Sequence, residues 1–501
     1  MTPVALAELL GVPGVRDVLG DRETLVTGVA SDSRKVVQGE LFAAISGGSA
    51  DGASFAPQAI ARGAAALLSD RALDGSVPVL LVDDVRKRLG PIAHRVFGEP
   101  TRKLQTVAVT GTNGKTTVTH LIESVLSFVG ARPALLGTVA QRGPAYAREA
   151  ELTTPEADVI ARFASEQLQA GATHLLMEAS SVAVDQNRLL GLDVEVAAFT
   201  NLTQDHLDYH GTMQRYGDAK QRLFTEYAPR NSVICVDHEF GQQLSRRASG
   251  KVLRVSVRAD AEAELRVLHQ TSTRAGIAAR VETPHGELLL TSPLFGAHNL
   301  ENLLVTVGVC LSLGIAPTDI SRGLLGAVGA PGRMERVRSN VDLMVLVDYA
   351  HTPDAVERAL SALRPLTDGR LFVVCGCGGD RDRAKRAPMA EAAVRGADVA
   401  LLTSDNPRTE QPAAILEQME IGARRAGVAI AASELPAATR GYTVIEDRAA
   451  AIRAAISAAK PGDSVLLVGK GHETYQIIGS EKRPFDDRVE AASALRARGD
   501  G

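Results

Sequence analysis

Tryptophan is absent from this chain of 501 residues, and cysteine is rare. The four cysteines are Cys235, Cys310, Cys375 and Cys377. So few cysteines exclude a disulfide-stapled scaffold, and the pair Cys375 and Cys377 lacks the second ligand pair of a structural zinc site. We interpret these two cysteines as small residues at the end of a strand.

Long apolar runs are missing as well. No segment is apolar over the roughly 18 residues that a membrane helix needs, and the N-terminus lacks the basic and apolar segments of an export signal. The 55 basic and 59 acidic residues give a net charge of −4, which does not indicate a nucleic acid partner. We therefore expect a cytoplasmic monomer without membrane attachment that acts on small anionic molecules.

Length and pattern indicate an α/β protein of about three domains. Short apolar runs alternate with helical patterns, an order typical of mostly parallel sheets with helices on both faces. Glycine and proline interrupt this order at 98–100 and 331–333. We predict domains at 1–98, 99–330 and 331–501, the second a central P-loop ATPase domain with a parallel sheet and the third Rossmann-like.

A glycine-rich turn follows the apolar run 106–110 and precedes a helical pattern. Backbone N–H groups of such a turn cradle phosphates, a lysine balances the charge of the terminal phosphates, and a hydroxyl can hold Mg²⁺. A glycine turn with an incidental lysine is the alternative. The turn predicts a nucleoside triphosphate site formed by Gly111, Thr112, Asn113, Gly114, Lys115, Thr116 and Thr117.

Two further polar segments follow strand-like runs in the middle third. Glu178 ends one run, where its carboxylate would reach the same sheet edge as the glycine-rich turn and ligate Mg²⁺; capping a helix is the alternative. The segment 200–211 concentrates amides, carboxylates and two histidines, and His206 is its candidate metal ligand; a solvated loop is the alternative. Lys220 has no special neighbours in its helical pattern, so the sequence alone predicts a surface lysine.

Polar residues also end strands in the last third. Asp348 and His351 follow the run 343–347 and are candidate nucleotide contacts. Arg381 and Arg408 follow two strands that we predict to be neighbours, and arginine suits a carboxylate. Together with the negative charge of Glu473, these residues would complement a zwitterionic amino acid. Surface salt bridges are the alternative for each arginine.

The motifs together closely resemble those of the Mur ligase family of peptidoglycan synthesis. They occur in family order and span essentially the whole chain. They are Gly-Thr-Asn-Gly-Lys-Thr-Thr at 111–117, Met-Glu-Ala-Ser-Ser at 177–181, Asn-Leu-Thr-Gln-Asp-His-Leu-Asp-Tyr-His-Gly at 201–211, His-Asn-x-x-Asn at 298–302 and Asp-Tyr-Ala-His-Thr-Pro-Asp at 348–354.

The resemblance implies an ADP-forming ligase that uses ATP and Mg²⁺. A carboxylate of UDP-N-acetylmuramoyl-L-alanyl-D-glutamate would be phosphorylated by ATP, and the amine of an amino acid would then attack the acyl phosphate. The implied ATP contacts beyond the glycine-rich turn are Asn299, Arg333, Asp348 and His351. The implied contacts of the nucleotide-linked dipeptide are Ser31, Ser33, Thr153, Thr154, Ser180, Gln186 and Arg188.

The resemblance also changes the role of Lys220. This residue aligns with a family lysine that is carbamylated to N6-carboxylysine, which is an anionic oxygen ligand for Mg²⁺. The implied metal ligands are Thr116, Glu178, His206 and the carbamate of Lys220. The implied catalytic residues are Lys115, His206, Lys220 and Arg333.

Within the family, the run 405–408 resembles that of enzymes that add meso-diaminopimelate. Two arginines would clamp its distal carboxylate, which lysine and ornithine lack, and charged hydrogen bonds contribute about 1.5–3 kcal/mol each. We therefore expect meso-diaminopimelate, with L-lysine or L-ornithine as alternatives. The implied contacts are Arg381, Asp405, Asn406, Pro407, Arg408, Gly469 and Glu473.

Two positions depart from the family pattern, because Ala53 and Val182 stand where many relatives carry histidine. Both concern contacts to the UDP-sugar rather than to phosphate or metal. Two rival interpretations stay open. One is another acyl-phosphate amide ligase, such as a folylpolyglutamate synthase, and the other is a non-catalytic nucleotide- or UDP-sugar-binding module.

Overall fold

The computed structural model describes residues 2–47 and 51–499. The chain forms two compact units. The first consists of Met1–Gln270, Ala279–Thr291 and Leu300–Ala327, and the second of Thr271–Ala278, Ser292–Asn299 and Val328–Gly501. No helix of the described residues is both long enough and apolar enough to cross a bilayer.

The first part of the chain forms a five-stranded sheet and a separate two-stranded ribbon. Its strands are β1 (Val4–Ala5), β2 (Val15–Leu19), β3 (Leu25–Val26), β4 (Gly28–Ala30), β5 (Glu40–Ala43), β6 (Ala66–Ser69) and β7 (Val79–Val82), and its helices are α1 (Leu6–Leu9), α2 (Ala56–Ala61) and α3 (Val85–Val96). The sheet order is β2-β7-β6-β5-β4, with only β2 antiparallel to its neighbour. Leu41, Leu68 and Leu80 of this sheet share a buried cluster with Leu89 and Ile92 of α3.

The middle of the chain is built on an eleven-stranded sheet. Its strands are β8 (Gln105–Thr110), β9 (Pro133–Leu136), β10 (Ala140–Arg142), β11 (Ala147–Glu149), β12 (His174–Glu178), β13 (Val196–Phe199), β14 (Asn231–Cys235), β15 (Lys251–Ser256), β16 (Leu265–Thr273), β17 (Gly276–Thr283) and β18 (Gly286–Ser292). Its helices are α4 (Lys115–Phe128), α5 (Ala157–Gln169), α6 (Ser181–Asp185), α7 (Leu207–His210), α8 (Met213–Thr225), α9 (Glu239–Arg247), α10 (Ala297–Ser312) and α11 (Pro317–Leu325).

The strand order of this sheet places the candidate residues at one edge. The order is β11-β10-β9-β12-β8-β13-β14-β15-β16-β17-β18, and β12, β8 and β13 are parallel neighbours. Strand β8 is buried on both faces, as is typical of a central parallel strand. Because the carboxyl ends of parallel strands meet, Glu178, Gly111 and Thr200 come to the same edge.

The last part of the chain forms a six-stranded sheet and a small hairpin. Its strands are β19 (Glu335–Arg336), β20 (Met344–Asp348), β21 (Leu371–Cys377), β22 (Val399–Ser404), β23 (Gly441–Val444), β24 (Ser464–Val468), β25 (Tyr475–Ile478) and β26 (Glu481–Pro484), and its helices are α12 (Pro353–Leu363), α13 (Arg386–Gly396), α14 (Pro412–Ala426), α15 (Arg448–Ala458) and α16 (Asp487–Gly499). The sheet order is β19-β20-β24-β21-β22-β23, parallel except for β19. The ends of β21 and β22 are therefore adjacent, as predicted.

Candidate active site

The glycine-rich turn joins β8 to α4, and two of its glycines are required by close contacts. Gly111 and Gly114 have φ angles of 151° and 89°, which favour glycine. A Cβ added at Gly111 would lie 1.9 Å from Oγ1 of Thr200, and one added at Gly114 would lie 2.2 Å from Oδ1 of Asn302. The turn can therefore present backbone N–H groups only because these positions lack side chains.

The neighbouring segment after β13 braces the turn. Thr112 donates its N–H to the carbonyl of Asn201 at 2.8 Å, and Asn113 donates its N–H to Oδ1 of Asn201 at 3.0 Å. The hydroxyl of Tyr216 on α8 lies 3.1 Å from Oγ1 of Thr112. Neither Asn201 nor Tyr216 was predicted as a site residue, although Asn201 lies two residues after the end of β13, which was a usable signal.

Lys115 folds back over this turn. Its ammonium donates to the carbonyls of Gly111 and Thr112, each at 2.9 Å. The structure thus places the predicted phosphate-binding lysine at the turn, where its charge can balance a phosphate.

Glu178 is the last residue of β12, and its side chain contacts the beginning of α4 beside the same turn. Its carboxylate is 1% exposed and accepts hydrogen bonds from the hydroxyl of Thr116 at 2.8 Å and from the N–H and hydroxyl of Thr138 at 2.8 and 3.0 Å. Thr153 adds a contact of 3.1 Å between its hydroxyl and that of Thr138. A buried carboxylate beside a hydroxyl is a set of hard oxygen donors that fits Mg²⁺. Sequence reasoning missed Thr138, which follows a strand only after one intervening glycine.

Lys220 is buried, so the prediction of a surface lysine from its local pattern is wrong. It is 1% exposed, its ammonium donates to the carbonyl of Gly111 at 2.8 Å, and its Nζ lies 4.5 Å from the ring centre of Tyr216. Burial, reinforced by the charge of Lys115, lowers the pKa of Lys220 well below its usual range. Tyr216, Lys220 and Phe224 follow one another at intervals of four on α8, a spacing that was a signal of a shared buried face.

His206 lies at the surface, directly before α7. Its backbone has a left-handed φ of 50°, its side chain is 49% exposed, and its Nε2 lies 3.6 Å from Oδ2 of Asp205. Across the described part of the chain, no three histidine, cysteine, aspartate or glutamate side chains are grouped closely enough to hold a metal. The structure thus brings Thr116 and Glu178 into direct contact but shows no such contact for His206.

His210, the second histidine of that segment, is buried instead. Its Nε2 lies 2.9 Å from the hydroxyl of Ser181, and its ring centre is 5.2 Å from that of Tyr216. Burial lowers the pKa of His210. This histidine therefore links α7 to the beginning of α6.

The structure brings together four of the predicted contacts of the nucleotide-linked dipeptide. Thr154 donates its hydroxyl to the carbonyl of Glu178 at 2.7 Å and accepts the N–H of Ser180 at 3.1 Å. Arg188 donates to the carbonyl of Thr154 at 2.9 Å and to Oε1 of Gln186 at 2.7 Å. These residues form a polar surface that continues from the backbone carbonyl of Glu178.

Ser31 and Ser33 lie in the segment that follows β4 of the first sheet. Ser31 donates its N–H and its hydroxyl to the carboxylate of Asp158, both at 2.9 Å. Burial raises the pKa of Asp158. The hydroxyl of Ser33 donates to Oε1 of Gln58 at 2.7 Å. Both hydroxyls thus serve contacts within the protein.

In the second unit, the predicted nucleotide contacts surround the end of β20. Asp348 accepts the N–H groups of Met334 and Ala350, each at 2.8 Å. The guanidinium of Arg333 lies 4.7 Å from the ring centre of Tyr349. Its Nε is buried without a hydrogen-bond partner among the described residues, as expected of a group that awaits a ligand.

The other two predicted ATP contacts are placed differently. The ring of His351 is exposed, with Nδ1 2.9 Å from the carbonyl of Tyr349. Asn299 is 2% exposed and donates to the carbonyl of Phe295 at 2.7 Å. His351 therefore faces solvent beside the end of β20, whereas Asn299 is part of the packing.

The predicted amino-acid contacts gather at the ends of β21 and β22. Arg408 has a left-handed φ of 51° and donates to the carbonyl of Gly379 at 2.9 Å. A Cβ at Gly378 would lie 3.0 Å from Nη1 of Arg408 and 3.8 Å from Cγ of Arg381. Both arginines therefore border Gly378, and Arg381 is exposed.

A buried lysine that sequence reasoning missed completes this group. Lys470 contacts the carboxylates of Asp405 and Glu473, and Asn406 donates to Glu473 at 2.8 Å. Gly469 is required here, because its φ is 111° and an added Cβ would lie 3.0 Å from Oδ2 of Asp405. Lys470 follows β24 after one intervening glycine, a signal similar to the strand-end positions of Asp348 and Asp405.

Profiles of one protein family match most of the chain. The profile of the "Mur ligase family, catalytic domain" matches residues 25–96, that of the "Mur ligase middle domain" matches 109–310, and that of the "Mur ligase, glutamate ligase domain" matches 332–471. Three domains of mixed α/β structure with largely parallel sheets confirm the predicted fold class.

Similar proteins match over almost their full length. The chain is 42% identical over 480 residues to UDP-N-acetylmuramoyl-L-alanyl-D-glutamate–2,6-diaminopimelate ligase of Geobacillus thermodenitrificans, covering 94% of this chain and 95% of that protein. It is 44% identical over 503 residues to the ligase of the same name from Trichormus variabilis, covering 98% of each. A solved structure of a ligase of that name is 34% identical, with a TM-score of 0.74, and covers 99% of this chain and 100% of its own. Because three family profiles and near-complete relatives agree, the chain belongs to the Mur ligase family.

Proposed function

We propose that this chain is an ATP-dependent ligase of peptidoglycan precursor synthesis. It joins meso-diaminopimelate to the D-glutamate carboxylate of UDP-N-acetylmuramoyl-L-alanyl-D-glutamate, with ADP and phosphate as the other products. The observation that carries the proposal is the contact between Thr116 and the buried carboxylate of Glu178, beside the phosphate-binding turn. The curated relatives that bear the name of this reaction support it.

The residues divide the chemistry between them. Thr116 and Glu178 would hold Mg²⁺, which when bound offsets the charge between the ATP phosphates and the incoming carboxylate. Lys115 and the N–H groups of the turn bind the terminal phosphates. The polar surface from Thr154 to Arg188 orients the nucleotide-linked dipeptide.

The reaction proceeds in two steps, each of which forms one bond and breaks another. The D-glutamate carboxylate attacks the γ-phosphorus of ATP and becomes an acyl phosphate, while ADP leaves. The amine of the amino acid then attacks the acyl carbon, loses a proton and expels inorganic phosphate. Holding the two substrates at one carboxylate supplies much of the rate enhancement.

We further propose that Lys220 carries the N6-carboxylysine modification. Among the described residues no carboxylate forms an ion pair with Lys220, and its burial favours the neutral amine; only a neutral amine can attack CO₂. The new N–C bond converts the amine into a carbamate, with loss of one proton, and supplies a second anionic group beside the turn. Labelling with ¹³C-bicarbonate should produce a carbamate resonance that is absent from the Lys220→Arg variant; no such resonance in the wild-type protein would refute the modification.

The remaining site residues are part of the same proposal. ATP would be contacted by Asn299, Arg333, Asp348 and His351, and the uridine end of the other substrate by Ser31 and Ser33. His206 would join the metal ligands. Meso-diaminopimelate would be held by Arg381, Asp405, Asn406, Pro407, Arg408, Gly469 and Glu473. The catalytic residues would be Lys115, His206, Lys220 and Arg333.

We also propose domain limits at 1–98, 99–330 and 331–501, a cytoplasmic location and a monomeric state. The three family profiles fall within these limits, which supports them.

The test measures phosphate release by the purified protein with ATP, Mg²⁺ and UDP-N-acetylmuramoyl-L-alanyl-D-glutamate. Meso-diaminopimelate, L-lysine and L-ornithine are compared side by side, with mass detection of the product. Turnover with diaminopimelate alone supports the full proposal. Preference for lysine or ornithine would retain the ligase and overturn the substrate, and no turnover with any of the three would favour a binding module or another ligase.

A further inference from the structure

A lysine without solvent contact lies between the two carboxylates of the proposed amino-acid site. Lys470 is 0% exposed. Its Nζ lies 3.2 Å from Oε2 of Glu473, 3.5 Å from Oδ1 of Asp405 and 3.2 Å from Oδ1 of Asn406. We call Asp405, Asn406, Lys470 and Glu473 the Lys470 cluster.

The cluster is fixed by contacts from the hairpin of β25 and β26. Gln476 donates its side-chain amide to the carbonyl of Asp405 at 2.7 Å, and Ile477 donates its N–H to Oδ1 of Asn406 at 2.9 Å. The backbone of Asp405 and the side chain of Asn406 are therefore held by contacts that do not involve Lys470.

Counting the charges shows what the cluster can receive. Two carboxylates and one ammonium leave a net charge of −1, which one further ammonium group neutralises. Without Lys470, the two carboxylates would give the cluster a net charge of −2. That charge matches one divalent cation or two ammonium groups rather than a single amine.

We infer that Lys470 is a positioning residue that sets the Lys470 cluster to one net negative charge, so that it receives a single ammonium group of the amino-acid substrate. This inference rests on the proposed function and extends it to Lys470, which contacts protein residues that are proposed to bind the substrate. Arg408 and Arg381, which border Gly378, would take the opposite charge of the same substrate.

The first test is the Lys470→Met variant of the full-length protein. Loss of a buried ion-pair partner should raise the KM for meso-diaminopimelate at least about tenfold. The KM values for ATP and for the nucleotide substrate should stay within about twofold, because their proposed contacts are elsewhere. Lys470→Arg retains the positive charge and should lie closer to the wild type. Lys460→Met is the matched control, since Lys460 is an exposed lysine of the same unit.

A charge-balanced pair of variants separates electrostatics from folding. Asp405→Asn leaves Lys470 opposite Glu473 with a net charge of zero, whereas Asp405→Asn combined with Lys470→Met restores −1. The inference predicts a lower KM for diaminopimelate in the double variant than in Asp405→Asn alone. A purely structural role for Lys470 predicts the reverse, and this comparison does not require Lys470→Met to fold by itself.

The outcomes distinguish a failure of the proposed function from a failure of the inference about Lys470. Wild-type protein that converts none of the amino acids would overturn the proposed function and this inference with it. A wild-type protein that is active, with an unchanged KM in Lys470→Met or a higher KM in the double variant than in Asp405→Asn, would overturn the inference alone. A raised KM in Lys470→Met, recovered by charge balance, supports it.

Discussion

Lys220 and Lys470 are both almost fully buried, at 1% and 0% exposure, but their surroundings are opposite. Lys220 donates to the carbonyl of Gly111 and lies over the ring of Tyr216. Lys470 lies between the carboxylates of Asp405 and Glu473. Burial disfavours a charged amine unless a counter-ion compensates for the lost hydration.

This difference assigns different chemistry to the same residue type. Burial lowers the pKa of Lys220 well below its usual range, and a neutral amine is a nucleophile. Lys470, with two carboxylates within ion-pair distance, serves as a fixed positive charge. The presence or absence of counter-ions, rather than burial itself, therefore decides whether a buried lysine is a neutral nucleophile or a positive charge that orients neighbouring groups.

The largest expected effect is that of Lys220→Ala. If the lysine carries an anionic metal ligand, its loss should lower kcat by about 10²–10³-fold, the range for removing a group that stabilises transition-state charge. Short carboxylates such as formate or acetate, added to the assay, should restore part of the rate. Lys251→Ala, at an exposed lysine of the same unit, is the control. Unchanged activity in Lys220→Ala would show that Lys220 does not supply a metal ligand.

The second largest effect is expected at Arg408, one of the two arginines of the proposed amino-acid site. Arg408→Met should lower kcat/KM for meso-diaminopimelate by about 10- to 100-fold, as expected for the loss of charged hydrogen bonds. The rate with L-lysine should change much less, because lysine has no distal carboxylate. Competition assays measure the ratio directly, with Arg424→Met at an exposed helix position as the control. A constant ratio would show that Arg408 does not read the distal carboxylate.

The pH dependence of stability sharpens the contrast between the two lysines. Between its lowered pKa and the usual value of about 10.4, uncarbamylated Lys220 is neutral in the folded protein and protonated in the unfolded chain. The unfolded state then binds more protons, so stability rises with pH, by at most about 1.4 kcal/mol per pH unit. This contribution is present above the unfolded pKa and is lost as the pH falls toward the folded pKa.

Removal of Lys220 should therefore flatten that slope. The free energy of unfolding of the wild type and of Lys220→Met would be measured in CO₂-free buffers at pH 7, 8 and 9. Equal slopes in the two proteins would mean that Lys220 stays charged when buried, as Lys470 does in the proposed arrangement.

The smallest expected effect concerns Thr138, which holds the Glu178 carboxylate. Thr138→Ala removes the hydroxyl contact of 3.0 Å but keeps the backbone contact of 2.8 Å. The Mg²⁺ concentration needed for half-maximal rate should rise about tenfold, corresponding to one hydrogen bond to a charged group at the lower end of the range of about 1.5–3 kcal/mol. Thr138→Ser retains the hydroxyl and should behave like the wild type, and an equal loss in both variants would point to the methyl group instead.

The regular elements around the site followed from sequence pattern. Strand β8 begins one residue before the predicted run 106–110, and β20 begins and ends one residue after the run 343–347. The strands β16 to β18 were not predicted. Buried and exposed positions alternate along β17 and β18, and the second half of β16 is exposed, so that no long apolar run marks these strands.

Within the site, the residues recognised from sequence are those whose chemistry is visible in adjacent positions, and the residues missed are those whose partners are distant in the chain. The glycine-rich turn and Glu178 were recognised because their chemistry is written in a few consecutive residues at a strand end. Lys220 was misjudged from its local pattern because its partner, the carbonyl of Gly111, is 109 positions away in sequence. Lys470 was missed for the same reason, since Asp405 is 65 positions distant.

The amino-acid sequence by itself determined the strand–turn–helix that can bind phosphate, the carboxylate and arginines at strand ends, and the family to which they point. These properties depend on backbone periodicity and on residues adjacent in the chain. Only the tertiary structure decided which lysine is buried beside a carbonyl and which between carboxylates. The charge state of a buried amine depends on groups that packing brings within about 4 Å, and sequence distance carries no information about that separation.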